Sequence, residues 1–142
     1  MPGAIELEPG EELRAETPAS FRGAAATTSR ATFAVGSARY RMKAFDSWAE
    51  LADIAGFPVA GPEMVLLLTD RRILVCKPTF WGKPKRVEGT VPLTDVAEAA
   101  TMRHGMITSL AIAMRNGRIV EVEAMRGGRL RGFAAALNDL LH

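Results

Sequence analysis

The chain has little with which to do covalent or redox chemistry. Its 142 residues include one cysteine and two histidines. Cys76 lies in the apolar run ILVC, where it reads as a small buried hydrophobe, and a single thiol forms no internal disulfide. That favours a reducing compartment. His104 precedes a turn glycine and His142 is the last residue, so with Cys76 in a strand no zinc set assembles. A serine nucleophile elbow, a phosphate-binding P-loop and a dinucleotide fingerprint are all missing. No enzyme activity, metal or cofactor is expected. The opening MPGAIELEPGEEL is acidic and lacks the apolar core of a signal peptide. The longest apolar stretch, Met64 to Leu68, is far short of a membrane span. A cytoplasmic protein is expected, at most peripheral to the membrane.

What is present suits one domain over residues 1–142, long enough to bury roughly two-thirds of its unfolded surface. Apolar residues make up 48% and charged residues 24%, both ordinary for a globular chain. The net charge of +2 hides an asymmetry. Residues 1–20 carry five acids and one base, and residues 21–45 carry five bases and no acid. Residues 70–86 carry six bases against Asp70 alone. Such blocks can mark an anionic partner. Arginine supplies 14 of the 18 bases, however, and a drift in composition would produce the same excess.

Leu13 to Arg22 alternates, with Leu13, Ala15, Thr17, Ala19 and Phe21 on one side, as in a half-buried strand. Pro18 predicts an edge or a bulge there. Residues 23–37 give weak signals. In SARYRMKAFDSWAELADIAGF, a helix over about 39–55 puts Tyr40, Ala44, Trp48, Leu51 and Ala55 on one stripe, widened by Met42, Phe45 and Ala49. The stretch could be a basic membrane-surface helix. Its following acids, Asp46, Glu50 and Asp53, favour packing against the core instead. Glu63 to Thr69 is apolar on both faces, so the strand should be covered on both, by a barrel interior and by the Trp48 helix. The corner TDRR leaves room only for a tight hairpin into Arg71 to Lys77. KRVEGTVPL reads as a strand interrupted at Gly89 and Pro92, and Asp95 to Arg103 as a weaker one.

The next hairpin follows from register. In ITSLAIAM-RNG-RIVEVEAM, a two-residue Asn116-Gly117 turn would put Ile112 opposite Glu121 and mix core with solvent. A three-residue loop, Arg115-Asn116-Gly117, opposes Ile112 to Val120, Leu110 to Val122 and Thr108 to Ala124. A slip of one residue exchanges the faces, so the apolar pattern selects the longer loop, with Gly117 left-handed. Glu121 and Glu123 then share the solvent face. Leu130, Phe133, Ala134, Leu137 and Leu141 predict an amphipathic helix over 128–141.

One strand, a helical insertion over 23–62, six strands over 63–126 and a closing helix make a mainly β (α+β) chain. VLLLTDRRILV, GTVPLTDV and LAIAMRNGRIVEVEAM, in that order, resemble the bacterial branch of the pleckstrin-homology-like (PH/GRAM-like) domains. The resemblance implies a seven-stranded bent antiparallel barrel with a C-terminal capping helix. It also implies a binding or assembly module rather than an enzyme. The basic motif of phosphoinositide-binding members has no counterpart after Leu13 to Phe21.

The loop KPTFWGKPKR is the candidate contact surface. Phe80 and Trp81, beside Lys77, Lys83, Lys85 and Arg86, suit an anionic membrane interface. The same set would stack on and neutralise single-stranded nucleic acid, a partner ranked below the others. Two prolines and a glycine make the loop compact, so the favoured expectation is that Phe80 and Trp81 fold back as a lid on the barrel end. Arg126, Arg129 and Arg131 crowd a helix N-terminus, where cations are disfavoured and an anion would be welcome. The leading functional expectation is a non-catalytic module acting through protein partners or self-association. The alternative is a peripheral membrane or phosphoanion binder using the Phe80-Trp81 loop, and an enzyme on a barrel scaffold ranks third.

Overall fold

A computed structural model describes residues 5–23, 37–79, 81, 83–124 and 129–142. Seven strands form one open antiparallel sheet: β1 (Leu13–Phe21), β2 (Glu63–Thr69), β3 (Arg72–Pro78), β4 (Pro84–Pro92), β5 (Val96–His104), β6 (Ile107–Met114) and β7 (Ile119–Ala124). Helix α1 (Ser37–Ala55) follows β1, a short 3-10 turn (Leu93–Asp95) links β4 to β5, and α2 (Leu130–Leu141) ends the chain. The spatial order is β4-β3-β2-β1-β7-β6-β5. The first strand is therefore central and β4 and β5 are the edges.

That order explains Pro18. Expected at an edge or bulge, it lies in the central strand opposite Val65 of β2. On its other side β1 pairs with β7 only over Ala19 to Phe21. Pro18 sits just beyond that ladder, where a missing N–H costs no sheet hydrogen bond.

The apolar alternation of the strands feeds one large cluster. Phe21, Met64, Leu66, Leu68, Ile73, Val75, Leu110, Ile112 and Val122 point into it, joined by Trp48, Ala52 and Phe57 from α1 and its exit. Leu130, Phe133, Ala134 and Leu137 of α2 close it. Phe21, Phe45 and Trp48 meet edge-on, tilted or stacked, with ring centroids 5.6 to 6.4 Å apart. The Trp48 indole N–H donates to the Glu121 carbonyl at 2.7 Å, fixing α1 to β7. The helix thus packs against the core, but rotated from the expected stripe. Trp48, Ala52 and Ala55 are buried, whereas Leu51 and Met42 are at least half exposed.

The cover of β2 also differs from expectation. Met64, Leu66 and Leu68 face the same cluster as α1, so the helix does not cover the other face. That face, Val65 and Leu67, builds a second cluster with Leu74 and Cys76, against which Val87 and Ile5 of the N-terminal segment pack. Cys76 is fully buried there. Burial, and secondarily the nearby Glu16 carboxylate, push its thiol up to about 11. It is a packing residue.

The β6–β7 hairpin has the register the apolar pattern requires. Ile112 opposes Val120 and Leu110 opposes Val122. The Met114 N–H donates to the Arg118 carbonyl, enclosing Arg115, Asn116 and Gly117, and Gly117 has φ +87°. The outer face is not simply solvated. Glu121 is partly buried and pairs with Arg22. Glu123, expected to face solvent, is buried, and its carboxylate accepts the Gly23 N–H at 3.0 Å.

Both edges are blunted. Pro84 and Pro92 bound β4 and remove donors from it. On β5 the Asn138 amide accepts from the Ala99 N–H and donates to the Ala99 carbonyl, at 2.9 and 2.8 Å, standing in for a strand neighbour.

Candidate contact surface

Thr69 to Arg72, the corner that looks most like a motif, is consumed by internal bonds. The Thr69 hydroxyl accepts the N–H groups of Arg71 and Arg72 and donates to a Glu11 carboxylate oxygen at 2.6 Å. Arg72 donates to both Glu11 oxygens, at 2.8 and 3.0 Å, in a two-pronged ion pair. Arg71 reaches the Glu8 carboxylate and the Pro9 carbonyl. Asp70 and Glu12 exchange bonds: the Glu12 N–H donates to the Asp70 carboxylate and the Asp70 N–H to the Glu12 carbonyl. The bonds from the Arg72 guanidinium hold the Glu11 carboxyl at about 2, against the opposing effect of burial. Glu11 in turn raises Arg72. The acidic N-terminal block is thus a clasp for the basic corner. No signal near TDRR announces it, because the partners lie about sixty residues away in sequence.

This clasp divides the six bases of residues 70–86. Arg71 and Arg72 are taken by Glu8 and Glu11, and Arg86 by Glu88 at 2.7 Å. Lys77, Lys83 and Lys85 are exposed and form no ion pair among the described residues. They surround the β3–β4 connection, which closes on itself. The Thr79 N–H donates to the Lys83 carbonyl at 2.7 Å and the Lys83 N–H to the Thr79 hydroxyl at 3.2 Å. Pro78 pairs with Pro84 directly below. Trp81 stands on this platform 83% exposed. The expected lid is therefore not formed by Trp81, whose indole lies largely in solvent. Phe80 lies outside the described residues. At the base of the loop is a groove of about 350 Å³ lined by Ala60, Gly61, Pro62, Glu63, Lys77 and Pro78.

The second group of predicted cations is placed elsewhere. Arg129 and Arg131 are exposed at the start of α2, where they line a groove of about 200 Å³ with Thr108, Ala124, Leu130 and Gly132. Arg129 caps the helix without a side-chain bond, and its N–H donates to the Thr17 hydroxyl at 2.8 Å. Arg126 lies outside the described residues.

A third surface has no counterpart in the expectations. Leu51 and Ile54 of α1 and Ile119 of β7 are each more than half exposed. Leu51 and Ile119 flank a groove floored by Trp48, Ala52 and Val120. Leu51 was expected on the buried stripe with Trp48 and Ala55; at 100° per residue it falls at the edge of the stripe that is buried, and Ile54 lies further round the helix.

Among the described residues no three histidine, cysteine, aspartate or glutamate side chains gather to hold a metal ion. No described helix is long and apolar enough to cross a membrane. Compared with models of known protein families and with curated proteins, the chain matches none.

Proposed function

We propose that this chain is a non-catalytic binding module of the pleckstrin-homology-like kind, working through the β3–β4 loop on a protein surface that is apolar and acidic. Strand order, the closing helix and the tight Thr69–Arg72 hairpin support the family reading. The observation that carries the contact surface is Trp81, 83% exposed in a connection whose turn and flanking strands carry the exposed Lys77, Lys83 and Lys85. A large indole left mostly in water keeps most of its apolar surface unburied, and tryptophan is enriched among the residues that dominate protein interfaces.

The same loop supports a second reading, an anionic bilayer. Magnitudes rank it lower. Three lysines contribute about 1 kcal/mol each near an anionic surface, and the indole about 1.5–3 kcal/mol on burial. The sum is about that of one myristoyl chain, which anchors only marginally. With Arg86 engaged by Glu88, the cationic count is smaller than the sequence promised.

A photo-crosslinking residue at position 81, with the same probe at exposed Met106 as control, tests the surface. Adducts to protein from position 81 alone are expected. Equal adducts from both positions, or none, would refute it. Flotation with anionic and neutral vesicles tests the second reading: pelleting or floating at physiological salt, abolished by Trp81→Ala, would put the bilayer first. Trp81→Ala itself should leave the thermal melt within about 1 kcal/mol of the parent, because the side chain is outside the core.

A further inference from the structure

We propose that residues 5–12 are a releasable strap over the outer face of β2 and β3. An electrostatic latch at the β2–β3 corner holds the strap, and when the latch yields it lifts while the domain beneath stays folded. This device is independent of the β3–β4 loop. It follows first from how little the strap buries. Glu6 to Gly10 are exposed, with Leu7 left 36% accessible. Ile5 packs half-buried against the second cluster, Val65, Leu67, Leu74 and Cys76. A segment with so few buried apolar contacts lies at the low end of local stability.

The strap is fastened at one corner. Glu8 and the Pro9 carbonyl hold Arg71, Glu11 holds Thr69 and Arg72, and the Glu12 N–H donates to Asp70. Within the strap, the Glu11 N–H donates to the Glu8 carbonyl and the Glu8 N–H to the Glu11 carboxylate. Residues 8–11 are thus a closed turn that moves as one body. Just beyond it the β1–β2 ladder shifts register between Leu13 and Ala15, and that irregularity supplies the hinge.

Charge sets the direction of control. The strap carries four carboxylates, Glu6, Glu8, Glu11 and Glu12, and no cation. Facing them are Arg71 and Arg72 at the corner and Arg14 in β1, which pairs with Glu12. Asp70 accepts the Glu12 N–H, so its protonation weakens the latch in the same sense as protonation of the strap. Acid therefore opens the strap, and salt assists by screening the exposed Glu8–Arg71 pair. Glu11 titrates near 4.5 ordinarily and near 2 when held, so its share of the hold is complete above about 4.5 and fades towards 2. From neutral pH to about pH 3 that share alone should raise opening about thirtyfold.

Residue-resolved hydrogen exchange of the full chain reads the strap directly. The N–H groups of Glu8, Glu11, Glu12 and Asp70 bond within the strap or across its latch. They should exchange together, ahead of the β1–β2 amides, and respond little to urea below the unfolding transition. Glu11→Gln should speed them about tenfold, and the milder Glu8→Gln about threefold at low salt. Asn138→Leu, which acts on β5 and α2, should leave them unchanged. The face beneath has its own reporter, because Cys76 is the one cysteine of the chain. At about pH 3, with the near-ultraviolet circular dichroism still native, a pyridyl disulfide should reach Cys76 about thirtyfold faster than at neutral pH, corrected for intrinsic reactivity. Strap amides that exchange in step with the β1–β2 amides, or that Glu11→Gln and Asn138→Leu speed alike, would overturn the proposal. So would loss of the native spectrum together with strap protection. A Cys76 that stays closed while the strap amides open would equally sink it, since the strap would then not be the cover.

Discussion

Replacing Glu11 tests whether the N-terminal segment is a structural part of the domain or an appendage. Its carboxylate accepts two bonds from Arg72, one from the Thr69 hydroxyl and one from the Glu8 N–H. The Glu11 side chain is fully buried, while that of Arg72 keeps 22% of its surface. Breaking a fully buried pair costs about 3–5 kcal/mol and an exposed one about 0–1 kcal/mol. Arg72 would recover part of its hydration, and the Thr69 hydroxyl would still have the Arg72 carbonyl at 3.2 Å. Glu11→Ala should therefore cost about 2–3 kcal/mol, between those limits. Glu11→Gln, which keeps the shape and loses the charge, should cost about half as much. Urea melts at neutral pH measure both, and a cycle with Arg72→Leu should give a coupling of at least about 1 kcal/mol.

The pH dependence has a definite sign. The Glu11 carboxyl titrates near 4.5 ordinarily and near 2 in the fold. The unfolded chain takes up the proton first, so the pair stabilises fully above about 4.5 and the benefit is lost as pH falls towards 2. The gap between wild type and Glu11→Gln should shrink over that window. A coupling below about 0.5 kcal/mol, or a gap constant through the acid range, would show that the clasp is ornamental.

Gly89 is needed for space: a Cβ there would fall 2.4 Å from the Pro58 Cβ. Gly89→Ala should thus destabilise by about 1–3 kcal/mol in urea, against the mild stabilisation usual for a strain-free Gly→Ala. Asn138→Leu should cost about 1–3 kcal/mol by leaving the Ala99 N–H and carbonyl unpaired. It should also speed hydrogen exchange at Ala99 ahead of the β1–β2 amides. Cys76, buried and with its thiol pushed up to about 11, should resist alkylation at mildly alkaline pH until urea unfolds the chain. Labelling of the native protein at the rate of a free thiol would contradict the second cluster.

Elements governed by short-range rules were legible in the sequence. The β6–β7 register was, because a strand alternates with period two and only a three-residue loop keeps Leu110, Ile112, Val120 and Val122 on one face. So were the β2–β3 hairpin and α2, whose apolar spacing allows one packing face. The tertiary structure decided what lies against those faces. Glu123 alternates like a surface residue, but residues distant in sequence bury it and Gly23 donates to it. Val65 and Leu67 demanded a cover, and nothing local distinguished α1 from the N-terminal segment that carries Ile5. The partners of Arg72 are equally remote, because an ion pair has no sequence period. For Trp81 the composition of the loop suits a lid and a protruding anchor alike. The folded chain leaves Trp81 83% exposed: whether an indole is covered depends on which distant elements come near it, and no local pattern records that.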